Sequence, residues 1–274
     1  MYEKYWGLTR TPFAGSTDPD WFWNGPAYDE ALARFEFLAD GHRPGGLLVG
    51  PAGSGKTLLL KVFVRRMQRK RRPAALVNLG GMDEPELLWE ISAQLGLAPE
   101  LMTAEFELWR RVHDRIVENG LQQFGTLLAF DDADTADGPA LRLIERLCGI
   151  DCAGQPLLTC VFAWRRSRRT RTRAGLARLT ELRVELPPLD NVQTTQYVTV
   201  LLERAGRREP VFDDGALAAL HEFSEGIPRR INRLCDLSLA AGAASGLTAI
   251  TSDVVQSVQR ELEGASPRPA PALV

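Results

Sequence analysis

The sequence predicts an α/β fold: a parallel sheet flanked by helices, followed by a small all-α domain. Three observations predict it. Strand-like apolar runs alternate with helical stretches between Gly46 and Leu186, the pattern of strand–helix–strand units. A glycine-rich octapeptide, Gly50 to Thr57, joins the first of those strands to the helix after it. Beyond Pro187-Pro188 the pattern is helical throughout, and helices seldom run into such a step.

The elements follow in order. Residues 1–26 are rich in aromatics, Pro, Gly and Asp, including Trp21-Phe22-Trp23, and predict an ordered irregular arm. Residues 27–40 read as a helix with Ala31, Leu32, Phe35 and Leu38 on one face. Gly46 to Val49 is a short buried strand, and Thr57 to Arg72 is the helix beyond the octapeptide. Ala74 to Leu79 predicts a second strand. Two helices come next: Glu84 to Leu95, with Asp83 as its cap, and Ala104 to Asn119. Strands at 125–130, 156–163 and 181–186 complete the sheet, with a helix at 139–148. The last part holds helices at 190–205, 213–223, 227–244 and 251–262. Three regions are expected: an α/β domain with its arm over 1–188, a helical domain over 189–263, and a disordered Pro-rich tail over 264–274.

Composition fits this plan. The 274 residues, 45% of them hydrophobic, supply material for two cores. No apolar run approaches the roughly 18 residues that span a bilayer. Met1-Tyr2-Glu3-Lys4 does not open a secretory signal, so a cytoplasmic location is expected. Cys148, Cys152, Cys160 and Cys235 and the three histidines lack metal-ligand spacing. Neither zinc nor disulfides are expected.

Gly50-Pro51-Ala52-Gly53-Ser54-Gly55-Lys56-Thr57 matches the phosphate-loop pattern G-x-x-x-x-G-K-[ST] at every fixed position. The glycines let backbone N–H groups turn inward around phosphates that side chains would obstruct. Lys56 can reach the β- and γ-phosphates of ATP, and the Thr57 hydroxyl is a Mg²⁺ ligand. Leu58, in the first turn of the helix whose N-terminus faces the anion, completes the nucleotide-binding set. The bland alternative is a Gly-rich turn that binds nothing; the order of strand, loop and helix argues against it. Downstream, Thr126-Leu127-Leu128-Ala129-Phe130-Asp131-Asp132 is an apolar strand ending in two carboxylates. In a phosphate-loop NTPase the first acid serves the metal and the second orients the attacking water. Asp131 is therefore the second metal ligand, and Asp132 the water-orienting residue.

With both motifs in place, Gly226-Ile227-Pro228-Arg229-Arg230-Ile231-Asn232-Arg233-Leu234-Cys235 completes a resemblance. The chain resembles the AAA+ ATPases of the secretion-associated ExeA type (general secretion pathway protein A) over roughly residues 2–262. Tyr5-Trp6-Gly7-Leu8-Thr9-Arg10-Thr11-Pro12-Phe13, Tyr28-Asp29-Glu30-Ala31-Leu32 and Leu186-Pro187-Pro188-Leu189 carry it too. It implies an AAA+ nucleotide-binding domain followed by a helical lid, with Arg229 reaching the γ-phosphate and joining Lys56, Asp131 and Asp132 as a catalytic residue. It also implies that residues around Leu8, Pro12 and Phe13 cover adenine.

Two departures qualify the chemistry. Relatives place Glu where this chain has Asp132, which withdraws the carboxylate by about 1.5 Å. Misplacement on that scale can cost on the order of 100-fold in rate, so slow hydrolysis is expected. Relatives also carry a polar sensor on the fourth strand, whereas this chain reads Val161-Phe162-Ala163-Trp164-Arg165-Arg166, with Thr159 as the nearest polar substitute.

Net charge is −2, which implies no polyanion partner globally. Locally, residues 65–72 hold six basic side chains, and Arg165, Arg166, Arg168, Arg169, Arg171 and Arg173 form a second cluster. Either cluster can neutralise phosphates of nucleic acid or anionic lipid; the plain alternatives are a solvated helix end and a charged surface loop. The leading reading is an ATP-hydrolysing AAA+ switch that uses Mg²⁺, works on a protein partner or as a homo-oligomer, and is associated with secretion. The alternatives are a DNA-associated helper ATPase, of transposition or origin-recognition type, and a nucleotide-gated binding module with little turnover.

Overall fold

The structure, a computed structural model, describes residues 2–136, 138–152, 154–165, 175–176 and 178–265. The chain forms two compact units: Thr17–Pro187, and Met1–Ser16 together with Pro188–Val274.

The first unit is built on a parallel five-stranded sheet. After helices α1 (Glu3–Trp6) and α2 (Pro26–Asp40) come β1 (Gly45–Gly50), α3 (Lys56–Arg69), β2 (Ala74–Asn78), α4 (Glu84–Gln94), α5 (Glu105–Leu121), β3 (Thr126–Asp131) and α6 (Gly138–Cys148). A two-residue hairpin, β4 (Asp151–Cys152) and β5 (Gln155–Pro156), precedes β6 (Leu158–Arg165), and β7 (Leu182–Glu185) closes the sheet. The strand order is β2-β3-β6-β1-β7. β1, β3 and all but the last residue of β6 are buried along their length, which is why they read as continuous apolar runs instead of alternating ones.

Packing between strands is aromatic at the centre. Phe130 of β3 stacks on Phe162 of β6 with ring centroids 5.4 Å apart. On the other side Phe35 of α2 meets Phe63 of α3 at 5.7 Å. Asp83 caps α4 through a capping box with Glu86, as the Asp-x-x-Glu spacing and Pro85 require. The consequence for function lies in the register. Gly50, the last residue of β1, sits beside Arg165, the last residue of β6, and β6 also pairs with β3. The carboxyl ends of β1, β6 and β3 therefore converge, at the edge where open α/β sheets place their ligands.

The second unit holds α7 (Asn191–Arg204), α8 (Asp214–Ser224), α9 (Pro228–Ala244) and α10 (Ser252–Ala265). The first sixteen residues pack here. The Trp6 indole N–H donates to the Leu239 carbonyl at 2.9 Å, and the Thr9 N–H to that of Ala205 at 2.8 Å. The Tyr2 hydroxyl donates to the Asp236 carboxylate. The sequence assigns the entire arm, residues 1–26, to the sheet-bearing domain; the structure divides it between Ser16 and Thr17. Indole and backbone groups buried by the arm need partners, and here α9 and the end of α7 supply them. Helix α10 continues to Ala265, into the stretch read as tail, whose remainder lies outside the described residues.

Candidate nucleotide-binding site

The loop between β1 and α3 is shaped by glycine. Gly53 and Gly55 hold φ of 85° and 82°, in the left-handed region that side chains disfavour. A Cβ on Gly50 would come within 2.6 Å of the Ser54 Oγ and 3.1 Å of the Leu186 carbonyl oxygen. The turn closes into a concave rim at the helix N-terminus. The first backbone bond into the helix is Leu59 N–H to the Gly55 carbonyl at 2.9 Å, so the N–H groups of Lys56, Thr57 and Leu58 open the helix, where the macrodipole favours an anion.

Lys56 folds across this rim. Its Nζ donates to the carbonyls of Gly50 (3.0 Å) and Pro51 (2.8 Å), and the residue is 8% exposed. Burial pulls its ammonium below the ordinary lysine range, and the nearby carboxylates Asp131, Asp132 and Asp134 oppose that pull. Ser54 is 1% exposed, and its Oγ has no hydrogen-bond partner among the described residues. A buried hydroxyl left open on the inside of a phosphate loop is a donor in waiting.

A support behind the loop was not assigned from the sequence. The Tyr28 hydroxyl of α2 donates to the Ser54 carbonyl at 2.9 Å. Its ring is held edge-on by Phe22 and Trp23, with centroids at 5.6 and 6.0 Å. The only sequence signal was its place in the Tyr28-to-Leu32 resemblance, which says nothing of its contact.

At the end of β3 the two predicted motifs meet. Thr57 Oγ1 donates to Asp131 Oδ2 at 2.5 Å, and the backbone N–H of Asp132 donates to Asp131 Oδ1 at 3.0 Å. Asp131 is 4% exposed, so each carboxylate oxygen is directed by one donor. Asp132 itself adopts φ 49° and ψ 37°, a left-handed conformation that Asp tolerates better than most residues. Its Oδ1 accepts from Arg165 Nη2 at 2.9 Å and Nε at 3.3 Å. Asp134, whose side chain is wholly buried, accepts the Arg165 backbone N–H at 3.4 Å and has Oδ2 3.9 Å from Arg165 Nε. The Asp132 bond, with its charge, holds the Arg165 guanidinium above its ordinary range.

The structure adds a contact for Arg165 that the sequence does not show. The residue belongs to the acid cluster at the sheet edge; the other predicted members of its run, Arg166, Arg168, Arg169, Arg171 and Arg173, lie outside the described residues. Thr159 lies at the opposite end of β6 from Arg165, and its hydroxyl is taken by the Arg43 carbonyl at 2.8 Å. The 65–72 cluster is largely tied down. Arg65 pairs with Asp20 at 2.6 Å, Arg66 with Glu36 at 3.2 Å, Lys70 with Glu36 at 2.9 Å, and Arg72 donates to the Ala39 carbonyl. Arg229 sits exposed in the first turn of α9, in the helical unit.

The donor set fits a nucleotide with its metal: a hydroxyl and a carboxylate converge for a hard cation, while glycine-lined N–H groups, a lysine and an open hydroxyl suit phosphates. Residues 39–172 match the AAA domain family. Across 96% of its length the chain is 28% identical to general secretion pathway protein A of Aeromonas hydrophila, and it spans 49% of that protein. In structure it is similar to Cdc6p from Pyrobaculum aerophilum, with a TM-score of 0.70 at 17% identity over 89% of this chain and 70% of that one. It is also similar to Drosophila ORC bound to DNA, with a TM-score of 0.67 at 17% identity over 87% of this chain and 60% of that one. The sheet-bearing unit thus has the phosphate-loop AAA+ fold expected from the sequence. Among the described residues, no helix is long and apolar enough to cross a membrane.

Proposed function

We propose that the protein binds ATP with Mg²⁺ at Gly50–Leu58 and hydrolyses it, using the cycle to change shape on a macromolecular partner in the cytoplasm. The observation that carries this reading is the 2.5 Å bond from Thr57 to Asp131: residues 74 positions apart in sequence present one hydroxyl and one carboxylate at a single point. In this reading Gly50, Pro51, Ala52, Gly53, Ser54, Gly55, Lys56, Thr57 and Leu58 hold the phosphates. Thr57 and Asp131 hold the metal, whose chemistry is to neutralise charge on the phosphate oxygens. Lys56 exchanges its bonds to the Gly50 and Pro51 carbonyls for phosphate oxygens. Asp132 orients the attacking water, and Arg229 is the phosphate-sensing arginine of the helical lid. Phosphate release from Mg²⁺-ATP tests the assignment; Lys56→Ala should lower the rate by at least 100-fold, and undiminished release would sink it.

The likeness to general secretion pathway protein A supports a partner in secretion. A second reading, a DNA-associated ATPase, is favoured by the likeness to ORC bound to DNA and by the arginine run after Trp164. Salt-sensitive DNA binding and DNA-stimulated phosphate release would support it; no stimulation at low salt would remove it.

A further inference from the structure

We propose that Arg165 is a positioning residue for hydrolysis: it grips Asp132 by one carboxylate oxygen and so aims the other at the water. The inference rests on the reading of Asp132 given above. β6 lies between β1 and β3 in the sheet, and the register sets Arg165 beside Gly50, between the phosphate loop and the acid pair.

The side-chain geometry then divides the labour. Both contacting nitrogens, Nη2 at 2.9 Å and Nε at 3.3 Å, fall on Asp132 Oδ1. A fork that spans both oxygens would consume the carboxylate; a fork on one oxygen fixes its plane and leaves Oδ2 for another donor. The arginine is itself anchored from behind. Asp134 takes its backbone N–H and places a buried carboxylate 3.9 Å from Nε. A carboxylate buried this fully needs a nearby cation, and one guanidinium serves Asp134 and Asp132 together.

The backbone contributes as well. The left-handed conformation of Asp132 and its N–H bond to Asp131 Oδ1 fix where its Cβ points. The short side chain leaves χ1 and χ2 to be set, and Arg165 sets them. In transfer to water the carboxylate acts chiefly by orienting the nucleophile, so a neighbouring positive charge does not by itself defeat it.

The test uses the full chain with Arg165→Ala and Arg165→Lys in steady-state phosphate release. Arg165→Ala should lower kcat about 10- to 100-fold with KM within about 2-fold, because an interaction that acts only on the water leaves ATP binding alone. Arg165→Lys, which retains the charge but not the fork, should recover part of the loss. In an Asp132→Ala background, adding Arg165→Ala should cost nothing further, since two residues acting as one unit are not additive. Unchanged or raised kcat, a loss confined to KM, or a full additional loss in the Asp132→Ala background would each overturn the proposal. These outcomes separate from failure of the functional reading: release that survives Lys56→Ala defeats that reading, whereas Lys56-dependent release indifferent to Arg165 defeats only this inference.

Discussion

Thr57 Oγ1 lies 2.5 Å from Asp131 Oδ2, and this bond pre-sets the distance between the two oxygens proposed as ligands of one cation. Ligands held at the right separation before the metal arrives lose less entropy when it binds. The hydroxyl donates to the carboxylate here; with Mg²⁺ bound, Thr57 and Asp131 would supply oxygen ligands, and the ion would neutralise charge on the phosphates.

Thr57→Val tests that arrangement while conserving volume. The valine leaves Asp131 Oδ2, on a residue 4% exposed, without this donor. ATP affinity measured in Mg²⁺ should fall to the value measured in a chelator, where the wild type and the variant should agree within about 2-fold. Loss of the hydrogen bond should itself destabilise the fold by about 1 kcal/mol. Equal loss of affinity with and without Mg²⁺ would place Thr57 on the phosphates instead.

Tyr28→Phe removes one oxygen and keeps the ring. The aromatic packing of Phe22 and Trp23 around Tyr28 should persist, so any effect reports on the bond to the Ser54 carbonyl. Buried hydrogen bonds of this kind contribute about 1 kcal/mol. The expected outcome is a loss of that size by urea denaturation, with ATP affinity weakened by about 3- to 10-fold, because the phosphate loop loses its rear support. Unaltered affinity with reduced stability would assign Tyr28 to the fold alone.

Much of this site was legible in the sequence because it is local. A phosphate loop is eight consecutive residues, and an acid pair after an apolar strand is two. The sheet was legible for the same reason: strands buried on both faces are continuous apolar runs. What sequence could not supply was pairing across the sheet. Arg165 looked like the first member of a basic run, since nothing local distinguishes it from Arg166; only the β1–β6–β3 order brings it to Asp132. Tyr28 is likewise 26 residues from its acceptor. The arm showed aromatic content without an address, and Trp6 finds its partner on α9, 233 positions away. The cations of 65–72 announced charge, whereas the acids that pair with several of them come from the arm and α2.

Glu36 gives that last pairing a pH signature. Burial alone would raise its carboxyl, but hydrogen bonds from Lys70 and Arg66 bring it below the unfolded value of 4.5. A depressed carboxylate contributes stability that is present above the unfolded value and is lost as pH falls through the folded one. Glu36→Gln should therefore be less stable than the wild type near neutrality, by less than about 1 kcal/mol for a half-exposed pair. The two stability curves should converge as pH falls through the depressed folded value, beyond which Glu36 is protonated in both states. A difference that persists unchanged to low pH would mean that the glutamate acts by packing and not by charge.

Gly226→Ala probes the helical unit. Gly226 holds φ +67°, and a Cβ there would sit 1.9 Å from the Leu189 carbonyl oxygen. The same two residues exchange a backbone bond, Leu189 N–H to the Gly226 carbonyl at 2.8 Å, so relief of the clash breaks the link between the start of α7 and the turn before α9. The left-handed conformation costs an L-residue about 1–2 kcal/mol, and overpacking adds about 1–3 kcal/mol. A loss of about 2–5 kcal/mol by urea denaturation is expected. Ile227 and Pro228 follow directly and set the N-terminus of α9, so the variant should also displace Arg229. If Arg229 senses the γ-phosphate, discrimination between ATP and ADP should shrink in Gly226→Ala under conditions where the chain remains folded, while ADP affinity, set by the phosphate loop, stays near the wild-type value. Preserved discrimination in a folded, destabilised variant would remove Arg229 from that role.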